Sequence, residues 1–169
     1  MRVWIGIDPG VTGAVAAIFE NENVLIFDAP TAQVKSGKRT RTEFLPHEMA
    51  AMLKGFIGDD LQPQVVIEKV SAMPGQGVTS MFNFGTGWGM WIGICAALDL
   101  PYRFVTPNEW KKEMMSGMGK DKDASVVQAQ RLFPDAAHLL QRPKRGGGVM
   151  LLNGRADSLL IAAWGRKQG

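Results

Sequence analysis

Asp8 and Glu68 each close an apolar run of strand length, residues 3–7 and 65–67, so each is a carboxylate expected at the end of a buried strand. Two more oxygen-bearing side chains, Asn153 and Asp157, sit four residues apart near the start of an apolar stretch at the far end of the chain. On a helix that spacing puts both on one face. If the two strands are neighbours and the helix packs over them, all four groups meet. Adjacent carboxylates repel unless cations hold them, and hard oxygen donors select Mg²⁺ or Mn²⁺. Two such ions about 4 Å apart stabilise both the attacking and the leaving oxygen of an in-line phosphoryl displacement. Plainer readings stand beside these. Pro9, Gly10 and Gly13 make a tight turn that an Asp side chain caps through its own backbone amides. Asn153 is a good helix N-cap.

Positioning these groups takes a sheet. Residues 3–7, 13–19 and 23–27 are three apolar runs joined by short turns and read as an antiparallel meander. Residues 29–42 are polar and basic with Gly37 inside, and read as an exposed loop. Leu45, Met49, Met52, Leu53 and Phe56 recur at helical spacing, which predicts an amphipathic helix over about residues 43–57. The strand ending in Glu68 follows, then a loop over 71–77 holding Met73 and Pro74, then a long helix over about 79–98. Gly85, Gly89 and Gly93 form a ridge along that helix. A helical Gly costs roughly 1 kcal/mol against Ala, so three of them imply close backbone approach, either to the sheet or to a second subunit. Residues 102–105 read as a strand, Thr106-Pro107 opens a helix, and residues 114–119 break it. Asp121 or Asp123 caps the next helix, residues 141–148 form a basic glycine-rich loop, and the last helix begins near Asn153. The order describes a three-layer α/β domain with a mixed sheet.

With 169 residues, 46% of them hydrophobic and 21% charged, the chain fits one soluble globular domain over residues 1–169. Nothing at the amino terminus reads as a signal peptide, because the first apolar run breaks at Asp8. The long charge-free run over residues 70–98 holds Pro74, Asn83 and many glycines, which argues against a membrane span. One Cys and two His leave no structural zinc site, and Cys95, among apolar neighbours, reads as a buried thiol in a reducing compartment. The net charge is only +3. The cations are nevertheless clustered: Lys35, Lys38, Arg39 and Arg41; Lys111, Lys112, Lys120 and Lys122; Arg142, Lys144 and Arg145. Three clusters on a domain of pI 9.2 lean towards a polyanionic partner.

Five features in order, Gly6-Ile7-Asp8-Pro9-Gly10-Val11-Thr12-Gly13, the strand ending in Glu68, Phe84-Gly85 leading a glycine-rich helix, Thr106-Pro107-Asn108-Glu109-Trp110, and Gly154-Arg155-Ala156-Asp157, span nearly the whole chain. Together they resemble the RuvC family of Holliday junction resolvases, particularly its phage and α-proteobacterial-type members. The resemblance implies a ribonuclease-H-like fold with a mixed five-stranded sheet flanked by helices. It also implies a homodimer in the cytoplasm of a bacterial or phage-infected cell, and a crossover junction endodeoxyribonuclease that makes paired nicks in four-way DNA junctions. Four acidic positions would hold two Mg²⁺ or Mn²⁺ ions per site. Asp8, Glu68 and Asp157 match the first, second and last. The third falls on Asn153, an amide that brings no charge, which implies weakened or absent cleavage. By the same resemblance Lys120 and Lys122 contact the scissile strand near the catalytic centre, and Met73 lies where relatives place an apolar wedge. The basic residues Lys35, Lys38, Arg39, Arg41, Lys144 and Arg145 complete the expected DNA contacts. No nucleotide cofactor is expected, since an actin-like ATPase needs two duplicated lobes. Two alternatives remain: a junction-binding protein that does not cut, and another ribonuclease-H-like nuclease acting on flaps or RNA–DNA hybrids.

Overall fold

The computed structural model describes residues 1–69, 71, 75 and 77–169, and of Ser36 the backbone alone. Five strands form the central sheet: β1 (Arg2–Ile7), β2 (Ala14–Phe19), β3 (Val24–Asp28), and, after two strands outside it, β6 (Gln62–Glu68) and β7 (Tyr102–Val105). Their order is β3-β2-β1-β6-β7, with the first three antiparallel and β1, β6 and β7 parallel. The mixed five-stranded sheet expected from the sequence is present.

Helices cover both faces. On one side lie α1 (Pro46–Lys54) and α2 (Val78–Ala97). Met49, Leu53, Trp91 and Cys95 pack there against Val3, Ile5, Ile7, Val15, Ala17, Val65 and Ile67. On the other side lie α3 (Pro107–Met114), α4 (Ala124–Leu132), a 3₁₀ turn (Pro134–Leu140) and α5 (Asn153–Lys167). Here Trp110, Val126, Leu140, Leu159, Leu160 and Ile161 meet Ala14, Ala16, Ile18 and Val66. The alternation of β2 decides the split: Ala14, Ala16 and Ile18 face one layer, Val15 and Ala17 the other.

Four expectations need correction. Residues 29–42 are not a loop. They form most of a two-stranded antiparallel ribbon, β4 (Thr31–Ser36) and β5 (Arg39–Phe44), turned through Gly37 at φ 63°. Charges on both faces hid the period-2 pattern. The basic stretch over 141–148 likewise carries β8 (Gln141–Pro143), which pairs with β9 (Val149–Leu151). The first helix is shorter than its periodicity, because β5 claims residues up to Phe44 and Pro46 sets the first turn. The ridge of Gly85, Gly89 and Gly93 does not dock on the sheet either. A Cβ built at each of the three meets nothing within 4 Å. Gly87 is the α2 glycine in tight contact, where a Cβ would fall 2.4 Å from the Pro9 carbonyl oxygen and 2.5 Å from the Phe44 ring.

Candidate metal centre and nucleic-acid surface

The parallel register sets the first two carboxylates side by side. Ile7 pairs with Ile67, so Asp8 and Glu68 both leave the sheet at its carboxyl end from adjacent strands. Burial pushes the Asp8 carboxyl up to about 7, against the Gly10 amide and Lys111, with Glu68 and Asp157 adding to the rise. Burial also raises Glu68, helped by Asp157 and opposed by the Trp110 hydrogen bond and Lys111. Asp157 is raised by burial too, against Ser125 and Lys111. The three carboxylates share one field.

Glycines bring the last helix in. A Cβ at Gly6 would lie 2.2 Å from the Ser158 carbonyl oxygen and 2.3 Å from the Ala162 amide nitrogen, so α5 rests directly on the β1 backbone. A Cβ at Gly154 would meet the Thr12 carbonyl oxygen at 2.2 Å, so the first turn of α5 sits on the turn after Asp8. This double contact seats the start of α5 on the turn that follows Asp8, and Asp157 adds to the rise of the Asp8 carboxyl. The Asp8 turn itself combines both sequence readings. Gly10 N–H donates to Asp8 Oδ1 at 3.1 Å. That single bond does not offset the burial.

Asn153 is the first residue of α5, and Leu152 occupies the N-cap, so the capping reading fails. Its Nδ2 instead donates to the Lys122 carbonyl oxygen at 3.3 Å, tying α5 to the segment that carries Lys120 and Lys122. Asn153 Oδ1 and Asp157 Oδ1 are buried without any hydrogen-bond partner. Orphaned oxygens beside raised carboxylates form a hard donor set suited to a divalent cation. Among the described residues, no three of the carboxylates, imidazoles and thiol stand close enough to share one ion.

Trp110, Lys111 and Ser125 also belong to this site, and sequence reasoning had not placed them there. Trp110 Nε1 donates to Glu68 Oε1 at 2.7 Å. Its place is fixed by a capping box at the start of α3, where Glu109 N–H donates to Thr106 Oγ1 and Thr106 N–H to the Glu109 carboxylate. That signature, Thr-x-x-Glu just before Trp, was readable in advance. Lys111 is exposed, yet it lowers all three carboxylates.

The cations expected to contact DNA are exposed on three segments. Lys35, Lys38, Arg39 and Arg41 are exposed on the β4–β5 ribbon, Lys120 and Lys122 on the connection between α3 and α4, and Lys144 and Arg145 on the turn between β8 and β9. Met73 lies outside the described residues. Arg155 ties the roots of both ribbons to α5. Its Nε and Nη2 donate to the two Asp28 oxygens at 2.6 and 2.9 Å, and its Nη1 donates to the Leu139 carbonyl oxygen at 2.9 Å. That fork holds the Asp28 carboxyl below its usual range. A concavity of about 490 Å³ between Glu22–Leu25 and Leu132–Leu139 is lined by none of Asp8, Glu68 and Asp157.

No protein-family model matches the chain. Over 98 residues, 58% of this chain, it is 31% identical to the chloroplastic Holliday junction resolvase MOC1 of Chlamydomonas reinhardtii. The chain spans about 10% of the length of that curated relative. Among solved structures, Thermus thermophilus RuvC in complex with a Holliday junction substrate superposes with a TM-score of 0.59 at 14% identity, covering 100% of this chain and 97% of that one. The yeast mitochondrial Holliday junction resolvase Ydc2 superposes with a TM-score of 0.50 at 19% identity, covering 97% and 78%. At these identities the likeness establishes the fold, the ribonuclease-H-like arrangement of these resolvases. Among the described residues no helix is long and apolar enough to cross a membrane.

Proposed function

We propose that this protein is a structure-selective endodeoxyribonuclease that resolves four-way DNA junctions by paired, divalent-metal-dependent nicks. The observation that carries the reading is the common electrostatic field of Asp8, Glu68 and Asp157, with Asp8 and Glu68 leaving adjacent strands at one end of the sheet and Arg155 tying the roots of two basic ribbons to α5. The MOC1 relative and the RuvC and Ydc2 folds support the choice of junction DNA over other polyanions. Asp8, Glu68 and Asp157, with the Asn153 amide oxygen, would hold two Mg²⁺ or Mn²⁺ ions. When bound, such ions supply an activated water and stabilise the charge of an in-line displacement. Trp110 orients Glu68, and Lys111 lowers the repulsion among the carboxylates. Lys120 and Lys122 grip the scissile strand, and the clusters at 35–41 and 144–145 hold flanking phosphates.

Paired nicks need two centres in fixed relation, so the protein acts as a homodimer. The open ridge of Gly85, Gly89 and Gly93 lies on α2 with exposed Val78 and Phe82, and it is the surface assigned to the second subunit. Burial raises the Cys95 thiol to about 11, so it stays protonated and unreactive near neutral pH.

A second reading, a junction binder that does not cut, is favoured by Asn153, whose amide withholds one negative charge from the metal centre. Labelled four-way junctions, flaps and RNA–DNA hybrids incubated with Mg²⁺, beside gel shifts in EDTA, test both. Symmetric nicks in the junction support the nuclease, and junction binding without nicks supports the second reading. Preference for hybrids or flaps would overturn both.

A further inference from the structure

We propose that the β4–β5 ribbon reads base pairs in one arm of the bound duplex, giving this protein a sequence preference at a distance from the cut. The inference rests on the DNA-junction reading above and extends it. Pairing of Gln33 with Thr42, Lys35 with Thr40, and Ser36 with Arg39 divides the ribbon into two unlike faces. Gln33, Lys35, Thr40 and Thr42 share one face, of which Thr42 alone is half-buried and the rest exposed. It carries hydrogen-bonding side chains and a single charge. Ala32, Val34, Arg41 and Glu43 share the other, where Ala32, Val34 and Glu43 are half-buried and Arg41 is paired to Glu43 at 2.5 Å.

A six-residue strand extends roughly 20 Å at about 3.4 Å per residue, and the major groove, about 12 Å wide, admits a two-stranded ribbon. Among the described residues neither β4 nor β5 packs extensively on any element but its partner. A lone two-stranded ribbon is marginal in water, so a charged one held out into solvent is suited to completion by a ligand. Charge identifies that ligand: Lys35, Lys38, Arg39 and Arg41 outweigh Glu43, the ribbon's one acid. The root is fixed in direction. Ala29 N–H donates to the Gly13 carbonyl oxygen at 3.0 Å, Leu45 N–H to the Pro30 carbonyl oxygen at 2.9 Å, and Phe44 abuts Gly87 beside Pro9. The ribbon therefore leaves from the end of the sheet that bears Asp8.

Gln33 sits in the middle of the open face, and its Nε2 donates to Thr42 Oγ1 at 2.8 Å. That bond holds the amide oxygen and the Thr42 hydroxyl as a fixed pair pointing outward. Gln pairs with adenine in a groove, whereas Glu accepts from cytosine. Arg39 and Arg41 on the opposite face, with Lys38 at the turn, fall towards the phosphate walls.

The test is a binding selection without divalent metal, on four-way junctions whose arms are randomised. The wild type should enrich one or two base pairs within about six of the crossover, the reach of a 20 Å ribbon at 3.4 Å per base pair. Preferred arms should bind roughly 5- to 100-fold more tightly than unselected ones. Gln33→Ala should lose that enrichment and bind every arm as the wild type binds unselected ones. Gln33→Glu should change the preferred base, a result that mere loosening of the ribbon cannot imitate. Arg39→Ala with Arg41→Ala should weaken all arms alike and keep the preference. Enrichment left identical by both Gln33 substitutions, or absent from the wild type, overturns base reading while leaving the junction reading intact. A chain that binds no junction at low salt overturns the junction reading itself.

Discussion

Removing the charge of Asp8 should stabilise the metal-free protein while destroying its activity. In the fold, burial first, then Glu68 and Asp157, pushes this carboxyl from 3.8 up to about 7. A carboxyl with a raised native pKa holds its proton longer when folded. Its stability contribution is therefore complete below 3.8 and lost as pH climbs through about 7. At 1.36 kcal/mol per unit, the penalty above neutrality is on the order of 4 kcal/mol for a centre that Glu68 and Asp157 share. In a protein of this size 1 kcal/mol moves Tm by about 2–4 °C, so roughly 8–16 °C is at stake. Asp8→Asn keeps an amide oxygen to accept from Gly10 N–H and discards the charge. In EDTA at pH 8 its calorimetric Tm should exceed that of the wild type by that margin. At pH 3.5 the two should nearly coincide. Mg²⁺ should raise the wild-type Tm and leave the variant in place. Equal melting of the two at pH 8, or a gap independent of pH, would refute the claim that Asp8 carries an uncompensated buried charge.

Three further outcomes follow from the same centre and the faces around it. Asn153→Asp should raise Mg²⁺-dependent junction cleavage by orders of magnitude, yet lower Tm in EDTA, because it adds a fourth acid and removes the donor to the Lys122 carbonyl; cleavage no faster than that of the parent chain would place residue 153 outside the metal centre. Trp110→Phe removes the 2.7 Å bond to Glu68 and should raise the Mg²⁺ concentration for half-maximal cleavage, a loss of roughly 10- to 100-fold in metal affinity, with junction affinity in EDTA unchanged. Gly89→Leu meets open space within the protomer and should fold normally but sediment as a monomer; a wild type that is already monomeric at micromolar concentration with junction DNA would dispose of the dimer.

The sheet was legible because its strands are apolar on both faces and each ends in a feature with chemical meaning. Residues 3–7 and 65–67 could be read as neighbours once Asp8 and Glu68 were seen to close them. The β4–β5 ribbon was not legible, because a strand pair open to water on one face and charged on both has no apolar period to show. The long helix was visible, but not which of its glycines touches anything. Spacing singled out Gly85, Gly89 and Gly93, whereas contact is made by Gly87, through Phe44 and Pro9 that lie far away in the chain. At the centre the acids could be found as ends of elements. Trp110, Lys111 and Ser125 act from elements whose approach depends on how α3 and α4 pack, which periodicity does not encode.

The seat of α5 on Gly6 ties folding to the site. Asp8 and Glu68 follow strands of the sheet, but Asn153 and Asp157 lie on a helix that must dock on that sheet from far along the sequence. The same helix supplies Leu159, Leu160 and Ile161 to the core on its side of the sheet, so its docking closes that core and brings up Asp157 of the proposed metal centre together. A chain whose α5 has not docked therefore lacks both a closed core on that side and the last of the proposed ligands. Under the proposed function, cleavage would depend on the seating of this one helix.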